Sequence, residues 1–455
     1  MHKKKKISHS LAVVIPIIII ALFIWLFTVI FEGEKPIATL SPLPEFLSQS
    51  QQFQIKTSDM KRGIKALRIS YSQGGRDTIL FEKKFPFKGL FNKEGVDSFQ
   101  YELEIDPSKL HLAQGRVDLN IRVWDYSRRG GGDGNLTLVQ HKMTVDTIPP
   151  SIRAISRMHN INKGGAGLVI YRTTSDTKDS GVYVDDNFFP GFPAGIKESE
   201  EIHLAYFAVP YNSSLDPSIY LWARDRAENT AKGTFYYHVR KKSFDSEPIN
   251  ITDRLLEKLL PYFSFYDFDP GITDLKKYLR INNDMREEND NMIFEMMKKT
   301  NPKKLWEGPW LRLPNAATIT TFAKHRIYYY NGEKIDEKDH MGTDLASLEN
   351  SPVLAANNGK VLYAEREGIY GLSILLDHGQ NLGSLYGHLS SMNVSKGQDV
   401  KKGDLLGYTG HTGLALGDHL HFSILVNGVY VNPIEWWDSH WIQDNIDLKL
   451  ELVEE

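Results

Sequence analysis

The sequence predicts a mainly β chain with one apolar N-terminal helix, two Ig-like β-sandwich modules, a short helical segment and a compact antiparallel β domain at its C-terminal end. Three observations carry that prediction. A charge-free run, Leu11–Phe31, stands alone near the start. Short runs such as Lys65–Tyr71, Phe99–Ile105 and Val117–Val123 alternate apolar and polar residues, as half-buried antiparallel strands do. Helical spacing is otherwise confined to residues 250–300, after which glycine-punctuated β runs resume.

Composition narrows the partners. The chain has 455 residues, 41% of them hydrophobic, enough for several domains with real cores. A formal net charge of -3, with no Lys/Arg stripe, gives no reason to expect a nucleic-acid partner. Cysteine is absent, which excludes disulfides, thiolate catalysis and cysteine-based zinc sites.

Leu11–Phe31 is long enough to cross a hydrocarbon core of roughly 30 Å as a helix. It exceeds a signal-peptide h-region of about 7 to 15 residues, and no small-x-small cleavage site follows, so a retained anchor is expected. Lys3, Lys4, Lys5 and Lys6 precede the run and Glu32 and Glu34 follow it. The positive-inside rule then leaves residues 1–10 as a cytoplasmic tail, 11–31 as the transmembrane helix, and the remainder outside.

Residues 35–147 and 148–242 read as the two sandwich modules. A faint internal repeat supports them: Leu119–Asp125 aligns with Ile219–Asp225, each followed by a polar turn and a second strand, Thr137–Val145 and Thr234–Val239. Asp146–Pro150 reads as a linker. Trp124 and Tyr220 are candidates for glycan contact, although strand aromatics ordinarily serve the core.

Residues 249–305 read as a helical connector or a groove cover. Asp253–Leu260, Asp274–Leu279 and Arg286–Lys299 have helical spacing, with Asn250, Thr252 and Thr273 as candidate caps and Pro261 and Pro270 as stops. The connector is the expected role, because no contact is visible in sequence. Residues 306–440 read as the compact β domain, with strands at Val353–Glu365, Gly371–Asp377, Gly383–His388 and His419–Val426, and residues 441–455 as a tail.

Within that last domain two clusters carry chemistry. In a strand His419–Val426, His419, His421 and Ser423 share a face with Leu425, while Leu420, Phe422, Ile424 and Val426 form a core face. His340 and Asp344 are also an even number apart, with Gly342 between them disfavouring a helix. Two imidazoles and a carboxylate brought together suit Zn²⁺ with a fourth position open. His378 is expected at a turn and His411 in a loop. Tyr386, two residues from His388, either faces the groove or is structural.

These residues resemble, in order, the signature of the M23 zinc metallopeptidases, lysostaphin-like enzymes of the bacterial cell wall: His340-x-x-x-Asp344, Pro352–Ala356 through Gly359–Val361, Asp377–Gly379, Tyr386–Leu389, Val400–Gly403 through Gly410, and His419–Phe422. The resemblance implies a lysostaphin-like, barrel-related catalytic domain over the last 120 to 130 residues or so, zinc held by His340, Asp344 and His421, and catalytic roles for His388 and His419. One departure is that Phe322-Ala323-Lys324-His325-Arg326 stands where many members have Phe-Gly-x-Arg. The hairpin-like Gly397–Asp404 also resembles lipoyl and biotinyl carrier domains, which have no use for the histidines. The implied function is a membrane-anchored endopeptidase acting on peptidoglycan peptides, placed at the cytoplasmic (inner) membrane with its catalytic domain periplasmic or extracellular. A non-catalytic relative that binds and activates a wall amidase, or an envelope scaffold, is the alternative. A divisome or wall-hydrolase partner is not identifiable from the residues.

Overall fold

The apolar run forms the helix His9–Ile30, and its window Val13–Ile30 is long and apolar enough to cross a membrane. The structure is a computed structural model that describes residues 9–195 and 201–454. Residues 1–8, most of the expected tail, lie outside the described residues.

The chain divides into two compact units, one reaching to Pro149 with Arg226–Asn229, the other holding Pro150–Asp225 and Thr230 onward. In the first, a three-stranded sheet (Ile37–Ser41, Gln51–Ser58, Ser98–Ile105) and a five-stranded one (Phe46–Leu47, Leu136–Val145, Gly115–Asp125, Ile64–Gln73, Arg76–Lys84) bury Phe53, Ile55, Leu67, Ile69, Leu119 and Ile121 in one core. The expected hairpin pairs as read, with Ile121 opposite Val139.

The second unit opens with two four-stranded sheets, and here the repeat misleads. Ile219–Asp225 pairs with Thr230–Gly233, not with Thr234–Val239. The return is early because the turn is short. Gly233 then lies so close to Ile152 that a Cβ would stand 2.8 Å from its carbonyl oxygen. Beyond it the chain leaves the sheet, and Tyr237–Arg240 pairs in parallel with His159–Asn162. Tyr220 is half-buried and stacks on Tyr183 at 5.4 Å. Leu168, Tyr206 and Phe207 of this region share one hydrophobic core with Leu345, Phe422 and Trp436.

The C-terminal sheet runs in the order Ala317–Thr320, Thr343–Ala346, Leu420–Val426, Leu382–Met392, Gly371–Gly379, Gly359–Glu367, Asp399–Val400. Leu420, Phe422, Ile424 and Val426 point into the shared core as their parity requires. Leu425 packs into a different cluster with Leu375 and Leu385, together with Met285, Ile293 and Met297 from the helical segment. The helices read as a connector or a groove cover form a layer over the opposite face of this sheet. Thr252 and Thr273 cap as read, their hydroxyls accepting from the Leu255 and Lys276 amides. The two later helices are one: Asp274–Arg280 continues through a π-turn, Ile281–Met285, into Arg286–Met297.

Three other expectations differ. Val353–Glu365 is interrupted between Pro352–Leu354 and Gly359–Glu367, where the buried Asn357 side chain bonds the backbone of Glu307. His378 sits inside the strand Gly371–Gly379, fully buried between the Asn358 carbonyl and Ser384. Residues 441–454, expected as a tail, are helical and bury Ile442 and Ile446.

Candidate metal centre and catalytic groove

Sheet register assembles the site. Asp344 pairs with His421 across neighbouring strands, and His421 pairs with Gly387 on the next. His340 ends the strand Glu333–His340, and two residues, Met341 and Gly342, separate it from the strand Thr343–Ala346 that holds Asp344. Gly342 in that gap has a steric reason: a Cβ there would lie 2.6 Å from the His421 ring. The turn before Lys324 keeps the shape a glycine would give, because Ala323 itself adopts φ 57° and donates its amide to the His340 carbonyl at 2.7 Å.

The five residues singled out in the sequence come together. Asp344 Oδ1 lies 2.9 Å from His340 Nε2, 3.0 Å from His421 Nδ1 and 3.6 Å from His419 Nε2. The His388 and His419 rings are 4.8 Å apart, and those of His388 and His421 5.7 Å. All five side chains are buried or nearly so.

Neighbouring groups fix the tautomers. Nδ1 of His340 faces the Thr321 carbonyl at 3.1 Å; a carbonyl only accepts, so the proton is on Nδ1 and Nε2 offers its lone pair inward. Ser423 donates to the Met341 carbonyl and therefore accepts from His421 Nε2, which leaves Nδ1 of His421 facing inward. Nδ1 of His388 donates to the Thr412 carbonyl and Nδ1 of His419 to that of Gly417, both at 2.8 Å, freeing each Nε2. Burial, then the charges of His419 and His421, pushes the His388 imidazole well down. Imidazole nitrogens turned inward by the hydrogen bonds of their partner nitrogens, beside a carboxylate, are the groups that such a site offers a metal.

His340, Asp344 and His421 thus suit a tetrahedral divalent ion with one position open, which is the chemistry of zinc. His388 and His419 stand beside that position. His388 reaches it because its backbone takes φ 65°, a left-handed kink that breaks the alternation of its strand. Tyr386 faces away into the core, where its hydroxyl accepts from the Ala356 amide at 2.9 Å and from the Ser384 hydroxyl at 3.1 Å. It is structural.

Other side chains border the site. Arg326 places Nη2 3.2 Å from Asp344 Oδ2 and bonds Glu247 at 3.0 Å through Nε. Tyr370 packs against His421 at 5.3 Å. A pocket of about 420 Å³ opens on the five site residues, walled by Ile249, Ile251, Leu255 and Leu259 and joined by Tyr278 and Arg286 of the helical layer. Arg326 closes the Phe322–Arg326 stretch that the sequence already set beside Phe-Gly-x-Arg; the pocket wall comes from residues about a hundred positions upstream and left no signal.

Residues 338–433 match Peptidase family M23, and the C-terminal region carries a domain of that family. The chain is 36% identical over 95 residues to the DD-carboxypeptidase/endopeptidase Mpg of Neisseria meningitidis, covering 21% of this chain and 22% of that protein. It is 35% identical over 96 residues to the peptidoglycan DD-endopeptidase ShyA of Vibrio cholerae, covering 21% and 22%. The chain thus spans about a fifth of the length of these relatives. Among solved structures, the catalytic domain of lysostaphin from Staphylococcus simulans is 27% identical, with a TM-score of 0.25, covering 29% of this chain and 98% of that one.

Proposed function

We propose that this chain is a membrane-anchored zinc metalloendopeptidase that hydrolyses peptide bonds in bacterial peptidoglycan. The observation that carries the reading is the convergence on Asp344 Oδ1 of His340 Nε2 and His421 Nδ1, each ring fixed by a hydrogen bond from its other nitrogen, with His388 and His419 alongside. The names of the M23 relatives, peptidoglycan endopeptidases, supply the substrate class.

His340, Asp344 and His421 would hold the ion. Bound zinc supplies Lewis acidity and a water whose pKa is brought towards about 7. His388 and His419, each with Nδ1 committed to a backbone carbonyl, present Nε2 to accept a proton from the attacking water and return it to the leaving amine. As an imidazolium, either would also stabilise the oxyanion. Arg326 holds Oδ2 of Asp344, so that Oδ1 stays turned to the histidines. The apolar pocket wall keeps water from competing for these charges.

The helix His9–Ile30 supports an anchor in the cytoplasmic membrane, and the lysines before it support a cytoplasmic N-terminus with the peptidase unit outside. The test is metal content and hydrolysis together: zinc-loaded protein should cleave peptidoglycan peptides, and His421→Ala should lose both zinc and cleavage. Protein that folds, stays metal-free in added zinc and stimulates a separate wall hydrolase would replace this reading with the activator one.

A further inference from the structure

One cation in the metal pocket is not used by the hydrolytic apparatus. Arg286 begins the helix Arg286–Met297, outside the matched residues 338–433, and lines the same pocket as the five site residues. Arg326, the other arginine there, is paired with Glu247 and Asp344. Arg286 has no carboxylate at ion-pair distance among the described residues. Its Nε donates to the Asn282 carbonyl at 3.2 Å and its Nη2 to Asn282 Oδ1 at 2.8 Å, both neutral. Asp290, one turn further along, accepts from the Tyr430 hydroxyl at 2.9 Å and feels the Arg286 charge through space without touching it.

The side chain is also held in place. The π-turn Ile281–Met285 brings Asn282 and Asn283 together on Asp336 Oδ2, each at 2.8 Å, and Asp336 belongs to the strand that ends in His340. On the other side of Arg286, Asn289 accepts from the Ile369 amide at 2.9 Å. The guanidinium is therefore flanked by two attachments of its helix, one to the strand Glu333–His340 and one to the turn Gly368–Tyr370, and it is half-buried beside an apolar wall. A pre-organised fork with neutral hydrogen-bond partners, beside an apolar wall, matches a carboxylate better than any other peptide group.

We propose that Arg286 is a specificity residue that pairs with a free carboxylate of the bound peptide, so that favoured substrates carry an ionised carboxylate close to the scissile bond. The proposal rests on the peptidase reading above for the identity of the ligand.

The test uses the full chain, zinc-loaded in detergent, with two cell-wall stem peptides that differ only in whether the carboxylate beside the cleaved bond is free or amidated. Hydrolysis is measured for wild type, and binding by titration calorimetry in the slow His419→Ala background. The free acid should bind about 10- to 100-fold more tightly, the scale of a hydrogen bond to a charged group. Arg286→Gln should erase that preference, and Arg286→Lys should keep a smaller part of it. Equal handling of both peptides by wild type, binding of neither, or an undiminished preference in Arg286→Gln would overturn the proposal. If the glutamine variant does not fold, the amidation comparison in wild type and Arg286→Lys still decides. A binding preference that Arg286→Gln removes, in a protein that hydrolyses neither peptide, would support Arg286 while removing the peptidase reading.

Discussion

The guanidinium of Arg326 stands 3.2 Å from Oδ2 of Asp344, the oxygen that the histidines leave free, and its Nε is held 3.0 Å from Glu247. Glu247 lies on Ser246–Ile251, a strand outside the matched M23 residues that pairs in parallel with Lys324–Tyr330. The upstream chain therefore helps to orient the Asp344 carboxylate. Arg326→Gln should weaken zinc binding roughly 10- to 100-fold, the usual cost of losing an outer partner. Arg326→Lys should recover only part, because an ammonium cannot bridge both carboxylates as the fork does. Competition with a zinc chelator measures both, and unchanged affinity in Arg326→Gln would remove the orienting role.

Gly342→Ala should damage the site from one methyl group. Its Cβ would lie 2.6 Å from the His421 ring and 2.7 Å from Ser423 Oγ, so the ligand must move. Zinc affinity should fall while the fold persists; a variant with wild-type zinc content and activity would mean that the strand end yields without cost.

Acid stability should carry a signature of His378. Burial pushes its imidazole down to about 4, against 6.5 for the free group. Between those values the unfolded chain takes a proton that the folded one refuses, so folded-state stability is whole above pH 6.5 and falls as pH drops towards 4. The loss from this one group is roughly 3 kcal/mol. Chemical unfolding of the second unit in His378→Asn should show a shallower decline over that window, and an equal slope would contradict the assignment.

Topology is checked with a reporter active only outside the cytoplasm, fused at the C-terminal end. It should be active, and the purified chain should still begin at its own N-terminus. A processed start near residue 30 would make the apolar helix a signal peptide.

Much of the centre was legible because β parity is a strict rule: His419 and His421 had to share a face, and Leu420 and Phe422 had to anchor it. The same rule fails at His388, where a left-handed residue inverts the alternation and separates it from Tyr386, and no composition signal marks such a kink. The pairing of Thr230–Gly233 was missed because Tyr237 and Val239 continue the alternation that Gly233 ends. The helical segment's place over the sheet was not readable at all. Ile293 and Met297 look like the apolar stripe of any helix, and only the fold shows that Leu425 lies beneath them.

The measurement that bears most directly on the central claim is the appearance of new amino and carboxyl termini in peptidoglycan peptides, followed by mass spectrometry, for zinc-loaded wild type, His388→Ala and His419→Ala. Wild type should cut an internal peptide bond, and each variant should retain zinc while cutting about 10²- to 10⁴-fold more slowly, as expected when a positioned acid–base group is lost. Zinc-loaded wild type that yields no new termini, or variants that cut at the wild-type rate, would contradict the account.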